Sequence, residues 1–159
     1  MRRYGLLFIA LALLVIGVIG LVLLNTGTLI LGASNSNLAE RGAIIFNTGR
    51  DPDGQPIANS GGTGMMMRTS CATCHGANGR GLSTPSFVSP NITYRNLTDP
   101  AGMVEPDGGH GMKYTDDLIR RAVTQGVDPE GQSLDSVMPR WQLTDAEWSD
   151  LLAYLKMLP

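Results

Sequence analysis

Two cysteines and a histidine are the residues whose spacing points most directly to chemistry in this chain. Cys71 and Cys74 lie three positions apart, and His75 follows at once. Two thiols at this spacing can add across the two vinyl groups of one porphyrin, and the adjacent imidazole can then bind the iron from one face. The chain has only these two cysteines. The pattern therefore predicts one covalent c-type haem and no disulfide.

Two other kinds of site use a Cys-x-x-Cys pair. A structural zinc site normally takes four protein ligands, and the only other histidine of the chain is His110. A thioredoxin-like dithiol needs a βαβ context, whereas residues 65–70 and 76–81 do not form a strand-like pattern. Haem attachment is therefore the favoured interpretation.

The second axial ligand of such an iron has several candidates. We favour Met138, because Pro139 keeps its segment extended just before the last predicted helix. Methionines elsewhere are expected to fill gaps in the core. The remaining candidates are water, Met65, Met66, Met67, Met103, Met112, Met157 and His110.

Capping signals and apolar spacing predict three helices that would position this site. They cover about 38–48, 116–125 and 145–158. Their predicted N-caps are Asn37, Thr115 and Thr144, with Glu147 completing a capping box at the third and Gly126 ending the second. Loops rich in glycine and proline are predicted over 49–68 and 76–113, and we find no internal repeat. Loops this long fit a domain whose core is partly supplied by a cofactor.

The N-terminal segment predicts a membrane anchor. Residues 5–24 are 20 positions without a charged or polar side chain, and a helix of that length spans roughly 30 Å, the thickness of a bilayer core. Arg2 and Arg3 precede it, which predicts a cytoplasmic N-terminus. A signal peptide cleaved near Ala33 is the alternative, but its apolar region is usually shorter. We expect an anchor over 1–24, a tether over 25–37 and a haem domain over 38–159.

The charge balance argues against a role in nucleic-acid binding. The chain has 12 Lys and Arg against 14 Asp and Glu, a formal net charge of −2. Only Lys113 and Lys156 are lysines. A nucleic-acid-binding protein needs a basic stripe, and this sequence has none. We expect membrane lipid and other proteins as its partners.

From about Leu38 onward the chain resembles the class I cytochromes c. Four features carry the resemblance, in the family's order along the chain. They are a Gly42-x-x-x-Phe46 helix, Cys71-x-x-Cys74-His75, Met138-Pro139, and a last helix rich in leucine and aromatic residues. The resemblance implies an all-α class I cytochrome c fold with long loops around one covalent haem c. This fold would follow a single transmembrane helix.

The resemblance also implies specific contacts. The first and last helices would cross, with Gly42 close to Tyr154 or Trp148. A proline carbonyl, from Pro85 or Pro90, would accept the N–H of the proximal histidine.

Two further segments, 89–93 and 126–131, resemble haem domains of membrane-bound dehydrogenase cytochrome subunits. The chain departs from simple class I cytochromes in having 24 residues between Phe46 and Cys71. We expect this insertion, 49–70, to be a partner contact.

The implied function is electron transfer rather than enzymatic catalysis. Ligation by His75 and Met138 would leave the iron no open site, so the haem would exchange single electrons. We expect a single-pass subunit of a quinol-oxidising respiratory or photosynthetic complex, for example alternative complex III. It would have its haem domain on the outer face of the bacterial cytoplasmic membrane, with redox donor and acceptor proteins as partners. The alternatives are a freestanding tethered cytochrome that donates to an oxidase or reaction centre, a structural anchor subunit, and a five-coordinate haem enzyme or sensor.

Overall fold

The computed structural model describes Leu14, residues 35–60 and residues 69–159. The chain divides into two compact units, Met1–Asn37 and Leu38–Pro159. The predicted anchor, apart from Leu14, and most of the predicted tether lie outside the described residues. Among the residues that are described, no helix is both long and apolar enough to cross a membrane.

The described part of the second unit is helical, with one short β-hairpin. The helices are α1 (described over residues 35–48, of which 38–48 belong to this unit), α2 (Cys71–His75), α3 (Tyr94–Leu97), α4 (Asp116–Gln125) and α5 (Asp145–Leu155). Strands β1 (Ser83–Thr84) and β2 (Phe87–Val88) pair antiparallel, with Ser83 opposite Val88. This content of helices with little strand agrees with the predicted all-α class.

The predicted ends of α4 and the predicted start of α5 are confirmed. Thr115 accepts a hydrogen bond from the Leu118 N–H, and Gly126 ends α4 in the left-handed conformation at φ 68°. At the start of α5, Thr144 and Glu147 form both bonds of the capping box. Each bond satisfies a backbone group that the helix end would leave without a partner.

Three other predictions of local structure are wrong. Asn37 lies inside α1, which already includes residue 35, because polar residues are only weakly unfavourable in a helix and their context overrides them. Helix α5 ends at Leu155, since Lys156 forms its C-cap and the last residues turn. The segment 76–113, predicted as loop, contains α3 and the hairpin of β1 and β2.

Helices α1 and α5 cross at a glycine. A Cβ on Gly42 would lie 2.0 Å from the Asp150 carbonyl oxygen and 2.8 Å from Tyr154 Cβ, so only glycine permits this approach. The rings of Phe46 and Tyr154 lie 5.3 Å apart at 56°, a tilted arrangement favourable for aromatic pairs. Arg41 also pairs with the buried Asp150 at 2.9 Å. The close approach of Gly42 to Tyr154 is therefore confirmed.

One short turn occurs three times in the described residues, and the sequence analysis, which found no internal repeat, missed the motif that forms it. Residues 50–56, 104–110 and 127–133 each follow the pattern acid-Pro-acid-Gly after their first position. In each segment the first and seventh residues form a β-bridge. The glycines Gly54, Gly108 and Gly131 have φ of 83°, 85° and 87°, which disfavours other residue types there. The repeat is a local turn rather than a structural unit with its own core.

Candidate haem-binding site

Helix α2 presents the Cys-x-x-Cys-His motif. Its N-cap is Ser70, whose Oγ accepts a hydrogen bond from the Thr73 N–H at 3.3 Å. Residues three apart on a helix lie on one face, so Cys71 and Cys74 share a face. The helix stops directly after the motif, because Gly76 takes φ 75°. His75 is the buried residue of this helix, at 8 % exposure.

A cavity of about 430 Å³ opens beside α2, within the size range of ligand and cofactor pockets. Cys71, Cys74, His75 and Met138 all line it. Most other lining side chains are apolar, including Phe46, Phe87, Val88, Ile92, Val123, Leu134, Val137, Trp141, Leu151 and Leu155. The fold therefore brings the four predicted site residues to one apolar cavity.

The backbone fixes the imidazole of His75. Its Nδ1 lies 3.0 Å from the Pro90 carbonyl oxygen. A carbonyl only accepts hydrogen bonds, so Nδ1 carries the proton and Nε2 is left to bind a metal. The expected proline carbonyl is thus present, and it is Pro90 rather than Pro85.

A buried serine ties the segment before Pro90 to the motif. The Ser89 hydroxyl donates to the Cys74 carbonyl at 2.5 Å and accepts from the Leu82 N–H at 2.9 Å. The Gly81 N–H donates to the His75 carbonyl at 2.9 Å. These bonds keep the segment before Pro90 next to the motif, so that the Pro90 carbonyl stays within hydrogen-bond distance of His75 Nδ1.

The environment favours the neutral forms of His75 and Cys71. Burial lowers the pKa of His75, and the hydrogen bond to Pro90 opposes that shift. Burial also raises the pKa of the Cys71 thiol to about 12. A neutral imidazole is the form that ligates a metal. An apolar cavity with a neutral imidazole and two thiols fits a haem bound through thioethers and one histidine.

The other candidate ligands of the described chain lie elsewhere. Met103 is buried in the core at 4 % exposure, and Met112 and Met157 are exposed at 54 % and 67 %. His110 is exposed on the second acid-Pro-acid-Gly turn. None of these four lines the cavity. Met65, Met66 and Met67 lie outside the described residues.

Several cavity residues were missed by the sequence analysis. Phe87 and Val88, on β2, line one part of the wall, and Trp141 lines another at 5 % exposure. β2 has only two residues, too few to be recognised as a strand from its sequence pattern. Trp141 follows the Met138-Pro139 loop so closely that its burial could also have been predicted. The backbone of residues 140–142 bonds to residues 58–60, and pairing between such distant segments leaves no local signal.

Comparison with known proteins agrees with this geometry. The Cytochrome c family model matches residues 39–159, which include the motif, the Met138 loop and all of α2 to α5. No curated protein and no solved structure matches the chain. The family match covers more than half of the chain, and the observed helices fit the class I fold. The chain therefore belongs to the cytochrome c family.

Proposed function

We propose that this protein is a one-electron carrier whose haem is bound through Cys71 and Cys74 and ligated by His75 and Met138. Family membership brings haem-based electron transfer and a covalent haem c. The observation that carries the finer proposal is the shared cavity. It places both thiols and an imidazole with one free nitrogen on the same apolar space as Met138.

Each of these residues has a distinct role. Haem iron supplies a one-electron couple when bound. Cys71 and Cys74 would fix its porphyrin covalently, and the Pro90 carbonyl keeps His75 Nε2 available as a ligand. A thioether from Met138 would favour the reduced state relative to a second imidazole. Around a bound haem, the mostly apolar walls would limit the access of water, so little reorganisation would accompany a change of charge.

We further propose that the chain acts as a membrane-anchored subunit. The supporting observation is the uncharged segment 5–24 after Arg2 and Arg3, which would place the haem domain on the outer face of a bacterial cytoplasmic membrane. A tethered carrier keeps a high local concentration near its partners and does not need a ring of lysines for steering. The host would be a quinol-oxidising assembly such as alternative complex III, with a fixed donor and a separate acceptor.

The ligand set is tested by substituting methionines. Met138→Ala should abolish the sulfur-to-iron charge-transfer band in the red spectrum of the oxidised protein and lower the reduction potential. Met103→Ala and Met112→Ala are matched controls and should retain the band. Retention of the band in Met138→Ala, or its loss in His110→Ala, would show that the assignment is wrong. A high-spin wild-type spectrum would favour a five-coordinate haem enzyme or sensor instead.

The membrane role is tested with the full-length chain in its native membrane. Alkaline extraction should leave the wild type in the membrane, and external protease should reach the haem domain from the outer side only. The chain should copurify with other membrane subunits in mild detergent. When a cleavable signal sequence replaces residues 1–24, the haem-loaded domain should be released and should no longer copurify with them. Full retention in the assembly would show that the domain surface provides the attachment.

A further inference from the structure

Arg140 holds the loop that carries Met138. One nitrogen of its guanidinium donates to the Leu134 carbonyl at 2.7 Å and another donates to the Asp135 carbonyl at 3.0 Å. The latter nitrogen also donates to the carbonyl of Met138 itself. A guanidinium is a rigid planar group with five donors. It therefore fixes the start and the end of the loop 134–138 relative to each other.

The guanidinium of Arg140 rests against the C-terminus of α4. A Cβ on Gly126 would lie 1.7 Å from Arg140 Nε and 2.1 Å from Arg140 Cζ. Gly126 thus serves two purposes, since it ends α4 at φ 68° and leaves space for this side chain. The Leu134 N–H donates to the Gly126 carbonyl at 2.8 Å, which ties the start of the loop to the same point.

Residues 58–60 of the insertion form hydrogen bonds with the backbone around Arg140. The Ser60 N–H donates to the Arg140 carbonyl at 2.9 Å, and the Arg140 N–H donates to Ser60 Oγ at 2.9 Å. The Gln142 N–H donates to the Ala58 carbonyl at 2.8 Å, and Asn59 forms a β-bridge with Trp141. The described part of the insertion is therefore engaged within the chain, next to the candidate ligand.

We propose that Arg140 is a positioning residue for Met138, and that residues 58–60 of the insertion hold Arg140 in place. This inference rests on the proposed ligation by Met138. A methionine has a flexible side chain and a neutral sulfur, so the loop must supply the order that the side chain lacks. Hydrogen bonds to a charged donor are stronger than neutral ones. Losing three of them at one loop raises the population in which Met138 has left the iron.

Exogenous imidazole measures that population in the haem-loaded, full-length protein. Imidazole binds only where Met138 has left the iron, so its apparent affinity scales with the open fraction. Arg140→Gln should raise the apparent affinity about tenfold, equivalent to about 1.4 kcal/mol. Arg140→Lys keeps the charge without the planar fork and should shift the affinity in the same direction. Gly126→Ala, which displaces the unaltered Arg140, should do so too.

Arg121→Gln is the matched control. Arg121 is also a partly buried arginine that donates to a loop carbonyl, that of Asp128, but among the described residues it forms no hydrogen bond with 134–138. The affinity of the Arg121→Gln variant for imidazole should stay within about twofold of that of the wild type, a change in binding free energy of less than about 0.4 kcal/mol. Amide hydrogen exchange at Leu134 and Met138 gives a readout independent of the iron, and only the Arg140 and Gly126 variants should accelerate it.

The outcomes separate this inference from the ligand assignment. If Met138→Ala loses the charge-transfer band but Arg140→Gln binds imidazole like the wild type, the ligand assignment stands and the positioning role is overturned. An equal effect of Arg121→Gln also overturns that role, because the effect would then not depend on the loop contacts. Retention of the band in Met138→Ala overturns both statements.

Discussion

The two sides of the haem cavity are built in different ways. On the His75 side the supporting contacts are local, since Ser89 and Pro90 bond to residues 15 positions earlier. On the Met138 side the backbone of Arg140 bonds to Ser60, 80 positions earlier. The neighbouring Trp141 N–H donates to the Val123 carbonyl at 3.0 Å. The His75 side is thus held by a nearly continuous segment, whereas the Met138 side also depends on a segment 80 positions away.

This difference has consequences for stability and for specificity. A local segment can form with little loss of chain entropy, whereas contacts between distant residues require long loops to close first. We expect the His75 side to depend on a few buried hydrogen bonds. The Met138 side should depend on the packing of the whole domain, and it should be the side that opens first.

The largest expected effect comes from removing the thiols of the local side. Cys71→Ser together with Cys74→Ser should eliminate covalent haem, because no other cysteine exists to replace them. A denaturing gel stained for haem peroxidase activity should show a band at the mass of the wild-type chain and none for the double variant. A stained band in the double variant would contradict attachment at α2. Met138→Ala should retain the covalent band, since the opposite side of the cavity is not needed for attachment.

The next largest effect should come from the crossing of α1 and α5, which supports both sides of the haem cavity. Gly42→Ala would place a Cβ 2.0 Å from the Asp150 carbonyl. Because α1 and α5 would have to separate, the free energy of unfolding should fall by about 3 kcal/mol. Denaturant titration followed by circular dichroism measures this change. Gly54→Ala is the control: its Cβ would meet no atom within 4 Å, so it should lose only about 1 kcal/mol from its positive φ. Equal losses would show that close packing at Gly42 contributes little.

The same contrast explains which features could be predicted from the sequence. The motif, the proline carbonyl, the capping box at Thr144 and the approach of Gly42 to Tyr154 are local, or follow from the resemblance to class I cytochromes c. The hairpin of β1 and β2 was missed because its strands have only two residues each, too few to show a periodic pattern. The role of 58–60 was also missed. Apart from the Ser60 hydroxyl, the pairing joins backbone groups of segments about 80 positions apart, which no local sequence pattern indicates.

Two serines provide a direct comparison of the two sides. Ser89→Ala removes a buried hydroxyl and leaves the partly buried Cys74 carbonyl without its donor, so the free energy of unfolding should fall by about 2 kcal/mol. Ser60→Ala removes an acceptor at an exposed position, where water can replace it, and should cost about 0.5 kcal/mol. The imidazole affinity should nevertheless rise in Ser60→Ala and not in Ser89→Ala. Urea unfolding and imidazole titration of both variants measure these two effects separately. If imidazole affinity rose in Ser89→Ala and not in Ser60→Ala, the proposal that residues 58–60 support the Met138 side would be contradicted.

The smallest expected effect concerns acidic groups near the Met138 side. The turn 104–110 and the turn 127–133, which leads into the loop of Met138, bring like charges together. Burial, followed by the charges of Asp107, Asp128 and Glu130, raises the pKa of Glu105 above its ordinary value of 4.5. A carboxyl with a raised pKa binds its proton more tightly in the folded state, so its contribution to stability is greatest at low pH. That contribution is lost as the pH rises from 4.5 through the raised value.

Glu105→Gln should therefore stabilise the protein at pH 7 and have little effect below about pH 4. The gain should be only a few tenths of a kcal/mol, because Glu105 is partly exposed and solvent screens its charge. Asp53→Asn, which removes the same charge from the first of the three turns, is the control. Thermal unfolding of the wild type and both variants at the two pH values measures the difference. If Glu105→Gln is stabilising at pH 7, the turn that leads into the loop of Met138 takes part in a repulsion between like charges. A destabilising effect at pH 7, or an equal gain in Asp53→Asn, would mean that the charges of these two turns do not act on each other.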